Sequence, residues 1–443
     1  MFGRARIAVL VGVCLGMIAC GRPDFGAPTS AGGEVVETDV GRATPGTPND
    51  GDDFPAEGGA DAGVSANNDA PEFEADAGAA APDPSGEYHA QSDFAFAVYR
   101  QLAAQGRNAV FAPHGLARSL VIAHAAVDEE AAVQVAEVLM PYLGYELYES
   151  FNTTDLALES RESSGGLQLL GAVWAQDGVN VSDGFVDALA RYLGLRIRLL
   201  DFATAPEEAR IAINNWHSTE TGGRLTEVLG PRSVDQSARF VITDASWFSA
   251  SWGFGGFDPA FTVYETFHGS ENDVVVPMMH VDETLLAVDG PDFDTVILPY
   301  QVGFSLVAIV PDDIEAFEAN FDPELLERLV GEAVWTDVAL RFPRVEVSGR
   351  VSLSTVSDAL GLPTLFTASY PAFGDGTVLH DAYQRTLISF HEAGTDAEGD
   401  FDSGNGDPPG PTYTPIDFDR PFLFAIRDDQ TRRLLFFGRV AQP

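Results

Sequence analysis

The chain has 443 residues, 45% of them hydrophobic and 30 of them Phe, which is ample core material for one large domain or two to three average ones. Its 67 acidic residues face 25 basic ones, for a formal net charge of -42, and every basic residue is arginine. That balance argues against nucleic acid or heparin-like polyanions as partners, and the acidity reads as a solvated surface, an adaptation to salt or a means of meeting a cationic partner.

Arg4 and Arg6 precede an apolar run from Ile7 to Ile18, which is short for a bilayer span and suited to the core of a signal peptide. Both cysteines, Cys14 and Cys20, lie here. Met17-Ile18-Ala19-Cys20-Gly21 resembles a bacterial lipobox, with Met17 where leucine is usual, and marks Cys20 for lipidation and membrane anchoring. An ordinary cleaved signal with an incidental Cys20 is the alternative. On either reading the protein is exported, as an outer-surface lipoprotein or to the periplasm or exterior, with no cysteine left for an internal disulfide. Residues 21–87 are dominated by Gly, Pro, Ala, Thr, Asp and Glu, with no sustained apolar periodicity. Such a segment cannot bury enough apolar surface to offset its ordering entropy, and a flexible tether is expected.

A folded domain is expected over residues 88–443, as a monomer. Phe94, Val98 and Leu102 recur at helical spacing, and Leu116 to Met140 offers two helical stretches broken near Asp128. Arg239–Phe248, Val274–Met279, Val296–Val310 and Leu434–Val440 read as strands, some apolar enough to be buried on both faces. Helices early and strands late predict an α+β architecture.

Enzyme motifs fail one by one. In the acidic stretch near the C-terminus, Asp400 and Asp402 fit a calcium loop, but Gly404 stands where a third ligand belongs and Asn405 where the turn glycine belongs. His391-Glu392 lacks the second histidine of a zinc protease helix, and neither a G-x-S-x-G elbow nor a glycine-rich phosphate loop is found. Nothing marks any of the eight histidines as a catalytic base. The reading is therefore of a non-enzyme that uses no metal or other cofactor.

A series of short motifs carries a resemblance. Asn108-Ala109-Val110-Phe111-Ala112-Pro113, Trp247-Phe248 with Trp252 and Phe257-Asp258-Pro259, Val276-Pro277-Met278-Met279-His280, Leu298-Pro299-Tyr300, Phe342-Pro343-Arg344, Arg420-Pro421-Phe422-Leu423-Phe424 and Phe436-Phe437-Gly438-Arg439-Val440 follow one another along the chain. In order and rough spacing they resemble the serpin family from about Tyr88 to Pro443. The resemblance implies three β-sheets, eight or nine helices and an exposed reactive-centre loop, here residues 391–415. It also implies a suicide-substrate mechanism. A serine or cysteine protease attacks the loop, forms an acyl-enzyme and is carried across the molecule as the cleaved loop enters the central sheet as a new strand.

Glu392-Ala393-Gly394-Thr395-Asp396-Ala397 resembles the hinge of that loop, with Gly399 continuing the small residues. Side chains alternate across an inserted strand, so Thr395, Ala397, Gly399, Phe401 and Ser403 would share the inserting face and Asp396, Glu398, Asp400 and Asp402 the other. Family spacing counted from the hinge places the scissile bond at Pro408-Pro409, and counted back from Pro421 at Gly410-Pro411. Proline after the bond makes poor bait, because it has no N–H and a fixed ring. Pro409-Gly410 avoids this and points to a protease that accepts proline before the cut; Asp407-Pro408, Asn405-Gly406 and Tyr413-Thr414 stay open. No Arg or Lys is on offer, so a trypsin-like target is disfavoured.

Some positions depart from the family. Ala112 and Gly115 stand for serines where the central sheet opens, Asp244 for asparagine and Gln384 for histidine; Asp244 and Gln384 are able to bond to one another. Trp252 matches a structural tryptophan at the top of that sheet. An inhibitor of proteases is the first expectation, and a non-inhibitory serpin that binds a partner through its acidic surface is the second.

Overall fold

A computed structural model describes residues 84–104, 108–143, 147–159, 166–301, 303–395 and 413–443. The signal segment with Cys20, the tether up to residue 83, and Ala397, Gly399, Phe401, Ser403, Asn405, Asp407, Pro408, Pro409 and Gly410 lie outside the described residues. The helices are α1 (Pro84–Ala103), α2 (Pro113–Ala126), α3 (Glu129–Leu143), α4 (Leu147–Glu159), α5 (Asp183–Ala188), α6 (Pro206–Glu220), α7 (Ile314–Glu318), α8 (Pro323–Glu332) and α9 (Leu353–Val356). The strands are β1 (Ala109–Phe111), β2 (Gly166–Gln176), β3 (Ile197–Leu200), β4 (Phe240–Ser251), β5 (Val263–His268), β6 (Asp273–Asp289), β7 (Phe293–Pro299), β8 (Phe304–Pro311), β9 (Val334–Pro343), β10 (Glu346–Ser352), β11 (Asp381–His391), β12 (Gly394–Thr395), β13 (Thr414–Asp417), β14 (Phe422–Asp428) and β15 (Leu434–Val440). The fold is α+β, and α1 begins inside the segment read from sequence as tether.

The break between α2 and α3 has a local cause. Asp128 accepts from the Ala131 N–H at 3.1 Å, an N-cap for α3, and its other oxygen accepts from the Ser369 N–H at 2.9 Å. Pro113 opens α2 at a position where its missing N–H costs nothing, and every residue of that helix is buried. A helix apolar almost all round belongs inside a fold, and α2 lies under the central six-stranded sheet.

That sheet runs β10-β11-β12-β4-β2-β3. Along β4 the alternation is clean. Phe240, Ile242 and Phe248 enter the interior, while Val241 and Ala245 join Trp174, Ile213 and Tyr383 in the outer cluster beneath α6. The remaining strands form a nine-stranded ladder, β1-β15-β14-β8-β7-β6-β9-β13, with β5 on β6. The long β6 pairs with β9 through Met278–Ala287 and with β7 through Leu286–Asp289. It thereby joins two of the expected three sheets into one continuous ladder. The apolar run Val296–Val310, read as one strand, is two, because the chain turns at Gly303 with φ 75°.

Candidate functional site

The central seam of the six-stranded sheet is held at two levels. Lower down, β11 and β4 pair directly and in parallel, Asp381–Leu387 against Val241–Trp247. Higher up they part, and β12 lies between them, antiparallel to both: Gly394 and Thr395 face Ser251 and Ala250 on one side and His391 and Phe390 on the other. Gly394 and Thr395, two residues of the hinge read from sequence, are therefore seated between β4 and β11.

Several groups fix that seat. Thr395 is fully buried, its Oγ1 2.6 Å from the Tyr300 hydroxyl, whose pKa burial pushes well above the usual value. Trp252 stacks on Tyr300 with ring centroids 4.7 Å apart. Its indole N–H donates to the His391 carbonyl at 2.9 Å and its backbone N–H to the Ala393 carbonyl at 3.0 Å. The Phe257 N–H donates to the Glu392 carbonyl at 2.8 Å. The Glu392 carboxylate accepts from the Thr262 hydroxyl at 2.9 Å and lies 3.6 Å from an Arg344 nitrogen. Gly394 is required sterically: a Cβ there would overlap the Ala250 carbonyl oxygen and lie 2.8 Å from Ser251 Cα.

Below the hinge, on the inner face, the residues that depart from the family pattern form one network. The Gln384 amide accepts from the Ala112 N–H and donates to the Ala112 carbonyl, both at 2.9 Å, so it clamps the start of α2. It also donates to Asp244 Oδ1 at 3.3 Å, and the Ser246 hydroxyl donates to the same oxygen. Asp244 Oδ2 lies 4.0 Å from Arg118 and has no hydrogen-bond partner among the described residues, and that arginine is held by Asp155 through both carboxylate oxygens at 3.0 and 3.1 Å. Burial raises the Asp244 pKa, with Arg118, Ser246 and Gln384 working against it. Gly115 belongs to this arrangement, since a Cβ there would sit 2.7 Å from both Gln384 Nε2 and Ser246 Oγ and closer still to Asp244. Ala112, Gly115, Asp244 and Gln384 thus fit one another geometrically.

On the outer face the sequence reading missed a second cluster. The Trp174 indole N–H donates to Thr243 Oγ1 at 2.8 Å, and the same hydroxyl lies 2.8 Å from His217 Nε2 of α6. His217 is completely buried, and burial followed by the charge of Arg198 holds its pKa down at about 3. Arg198 in turn lies over the Trp216 ring at 4.5 Å. These residues come from four separate elements, β2, β3, α6 and β4, so no spacing in the sequence could have grouped them.

Of the other residues singled out, Tyr413 stands immediately before β13. Among the described residues no cluster of three or more His, Cys, Asp or Glu could hold a metal ion.

The serpin family, "serine protease inhibitor", matches residues 89–443, and the chain belongs to it. It is 27% identical to mouse plasminogen activator inhibitor 1 over 381 residues, covering 80% of this chain and 92% of that protein. An uncharacterized serpin-like protein of Thermococcus kodakarensis is 26% identical over 368 residues, covering 80% of this chain and 85% of that protein. Among solved structures, the thermophilic serpin tengpin in the native state superposes with a TM-score of 0.72 at 20% identity, over 80% of this chain and 94% of its own. Thyroxine-binding globulin in complex with thyroxine gives 0.71 at 20%, over 80% and 99%. At those identities the structures speak to the fold alone.

Proposed function

We propose that this serpin inhibits a protease by inserting its cleaved reactive-centre loop, residues 391–415, between β4 and β11. The observation that carries the reading is the seated pair Gly394–Thr395, because it sets the register of everything that would follow. Each further loop residue moves one step down both neighbours, so Ala397 would reach the level of Phe248 and Ile388, and Gly399 that of Ser246 and Thr386. Phe401 would reach Asp244 and Gln384, and Ser403 would reach Ile242 and Ala382. With Thr395 pointing inward, strand alternation would turn these residues to the inner face and the four acidic residues to the outer one. Insertion must break the direct pairing of Asp381–Leu387 with Val241–Trp247 and replace it with two new ladders.

In this register the seam ends at Phe240, opposite Asn405. A bond at Pro409-Gly410 would leave the acylated residue beyond the end of the sheet, and that bond remains the preferred site, with Pro408-Pro409, Asp407-Pro408, Asn405-Gly406 and Tyr413-Thr414 as alternatives. The target would be a serine or cysteine protease that accepts proline and is not trypsin-like. Plasminogen activator inhibitor 1 of the mouse and leukocyte elastase inhibitor of Xenopus laevis, 25% identical over 353 residues, lend the inhibitory class their names. Cys20, as a lipidated residue, and the tether would hold the domain off a membrane surface, in keeping with the lipobox-like sequence.

One observation favours the second reading, a serpin that binds a partner without trapping. Phe401 would bring an aromatic ring against the buried polar pair Asp244–Gln384, which has no apolar place prepared for it. The two readings separate when the domain is incubated with proline-specific, acidic-specific and chymotrypsin-like proteases. A denaturant-stable adduct, with a released peptide beginning near Gly410, supports the trap; clean cleavage without adduct by every protease of the panel supports the binding scaffold.

A further inference from the structure

An acidic side chain spans the seam itself. Asp244 of β4 stands directly across from Gln384 of β11, inside the stretch where the two strands pair without β12 between them. It is buried and turned to the inner face, against Gly115 of α2. Oδ1 accepts from Gln384 Nε2 across the seam at 3.3 Å and from the Ser246 hydroxyl, whereas Oδ2 has no hydrogen-bond partner among the described residues. The charged groups that face it are Arg118 from α2 and Asp155 from α4, with His114 of α2 beyond them, 3.3 Å from Asp155. The neighbouring strands present neutral residues, Gly171 on β2 and Gln384 on β11. Arg118 keeps one terminal nitrogen 4.0 Å from Oδ2 and bonds both oxygens of Asp155 with the other.

A carboxylate in this position leaves a charged oxygen buried without a donor, whereas a neutral carboxyl group leaves only a hydroxyl, at much lower cost. Burial accordingly raises the Asp244 pKa, with Arg118, Ser246 and Gln384 pulling the other way. Parting β4 from β11 takes Gln384 away and lets water reach both oxygens, so the open seam favours the carboxylate. We propose that Asp244 is a proton-operated catch on the seam: protonated, it keeps β4 and β11 paired, and ionised, it lets them part. The closed seam holds the proton more tightly than the open one. Closure is therefore most favoured below the open-state pKa and weakens as pH rises through the closed-state value. A single proton sets a limit of about tenfold in the opening equilibrium per pH unit. The catch acts in the intact protein, so it stands or falls independently of loop insertion.

Hydrogen exchange in the intact, full-length protein reads the opening directly. Protection factors, corrected for the intrinsic pH dependence of exchange, are measured between about pH 4 and pH 8 for the amides of Val241–Trp247 and Asp381–Leu387 that point across the seam. The β14–β15 ladder, away from the seam, serves as the internal reference. Relative to it, seam protection should fall by about tenfold per pH unit through the window and then level off. Asp244→Asn, which is isosteric and cannot ionise, should hold seam protection level. Ser246→Ala removes a donor from Oδ1 and should move the fall to higher pH, a shift that a packing role alone does not give. That variant also keeps the test open if Asp244→Asn does not fold. A wild-type seam profile parallel to that of β14 and β15 would overturn the proposal without recourse to a variant. An equal fall in Asp244→Asn would overturn it too, as would a Ser246→Ala profile that coincides with the wild type's.

Discussion

If the proposed insertion mechanism holds, replacing Thr395 with Arg should give a loop that is cleaved without trapping the protease. The wild-type hydroxyl lies 2.6 Å from the Tyr300 hydroxyl in a fully buried site lined by Phe248, Trp252 and Tyr300. Losing that partner leaves a buried tyrosine hydroxyl unsatisfied, at about 1–3 kcal/mol. A guanidinium placed there has no carboxylate to meet, and its desolvation adds several kcal/mol. The side chain escapes by leaving the seam, so the cost falls on hinge seating and on any insertion that starts from it. Even about 3 kcal/mol lowers the seated fraction roughly a hundredfold. Amide exchange at Trp252, whose N–H donates to Ala393, should accelerate in the intact variant. On incubation with a protease that forms an adduct with the wild type, the loop should be cleaved at the usual rate and the adduct should vanish, while Thr395→Val should show a partial effect. A Thr395→Arg protein that forms adduct at wild-type stoichiometry would refute the reasoning.

His217 should make the fold acid-sensitive. Its pKa is held at about 3 against an ordinary 6.5, so the unfolded chain takes up the proton first and stability falls as pH drops through that window, by about 3 kcal/mol from this residue at pH 4. His217→Gln, followed by urea titration between pH 7 and 4, should lose correspondingly less; parallel curves would contradict it. Asp244 has the opposite slope. Its raised pKa means that the charged form is disfavoured in the fold, so the wild type gives up stability as pH rises from the ordinary carboxylate value through the folded one. Asp244→Asn should therefore gain on the wild type over that rise in pH, and a constant difference in Tm would count against the assignment. Gly115→Ala should destabilise by about 1–3 kcal/mol despite alanine's better helix propensity, since its methyl meets Gln384 and Ser246 at 2.7 Å; an unchanged or higher Tm would refute the close approach.

Helices α1 to α3 and strands such as β4 and β15 were legible because local chemistry decides them, from the helical spacing of Phe94 and Val98 to the apolar run Leu434–Val440, whereas α4 to α9 were not read from the sequence. Within β2, the sequence GLQLLGAVWAQ has no alternation to distinguish a buried strand from a buried helix, and it was not anticipated. The Glu392–Ala397 stretch stood out as a motif, but the seat of Gly394 and Thr395 did not. Tyr300 and Thr395 are 95 residues apart, and only the sheet brings them together. Asp244 and Gln384 could be singled out one position at a time, whereas the need for glycine at 115 follows from the packing of Asp244, Ser246 and Gln384 around it.

The most direct test of insertion needs no knowledge of the target. The loop is nicked between residues 405 and 414 by any protease that reaches it, the two fragments are left associated, and Tm is compared with that of the intact protein. A loop that enters the seam adds ladder hydrogen bonds on both sides and fills the space between β4 and β11, so the account predicts a clear rise in Tm. An unchanged or lowered Tm, with the fragments still bound, would contradict it.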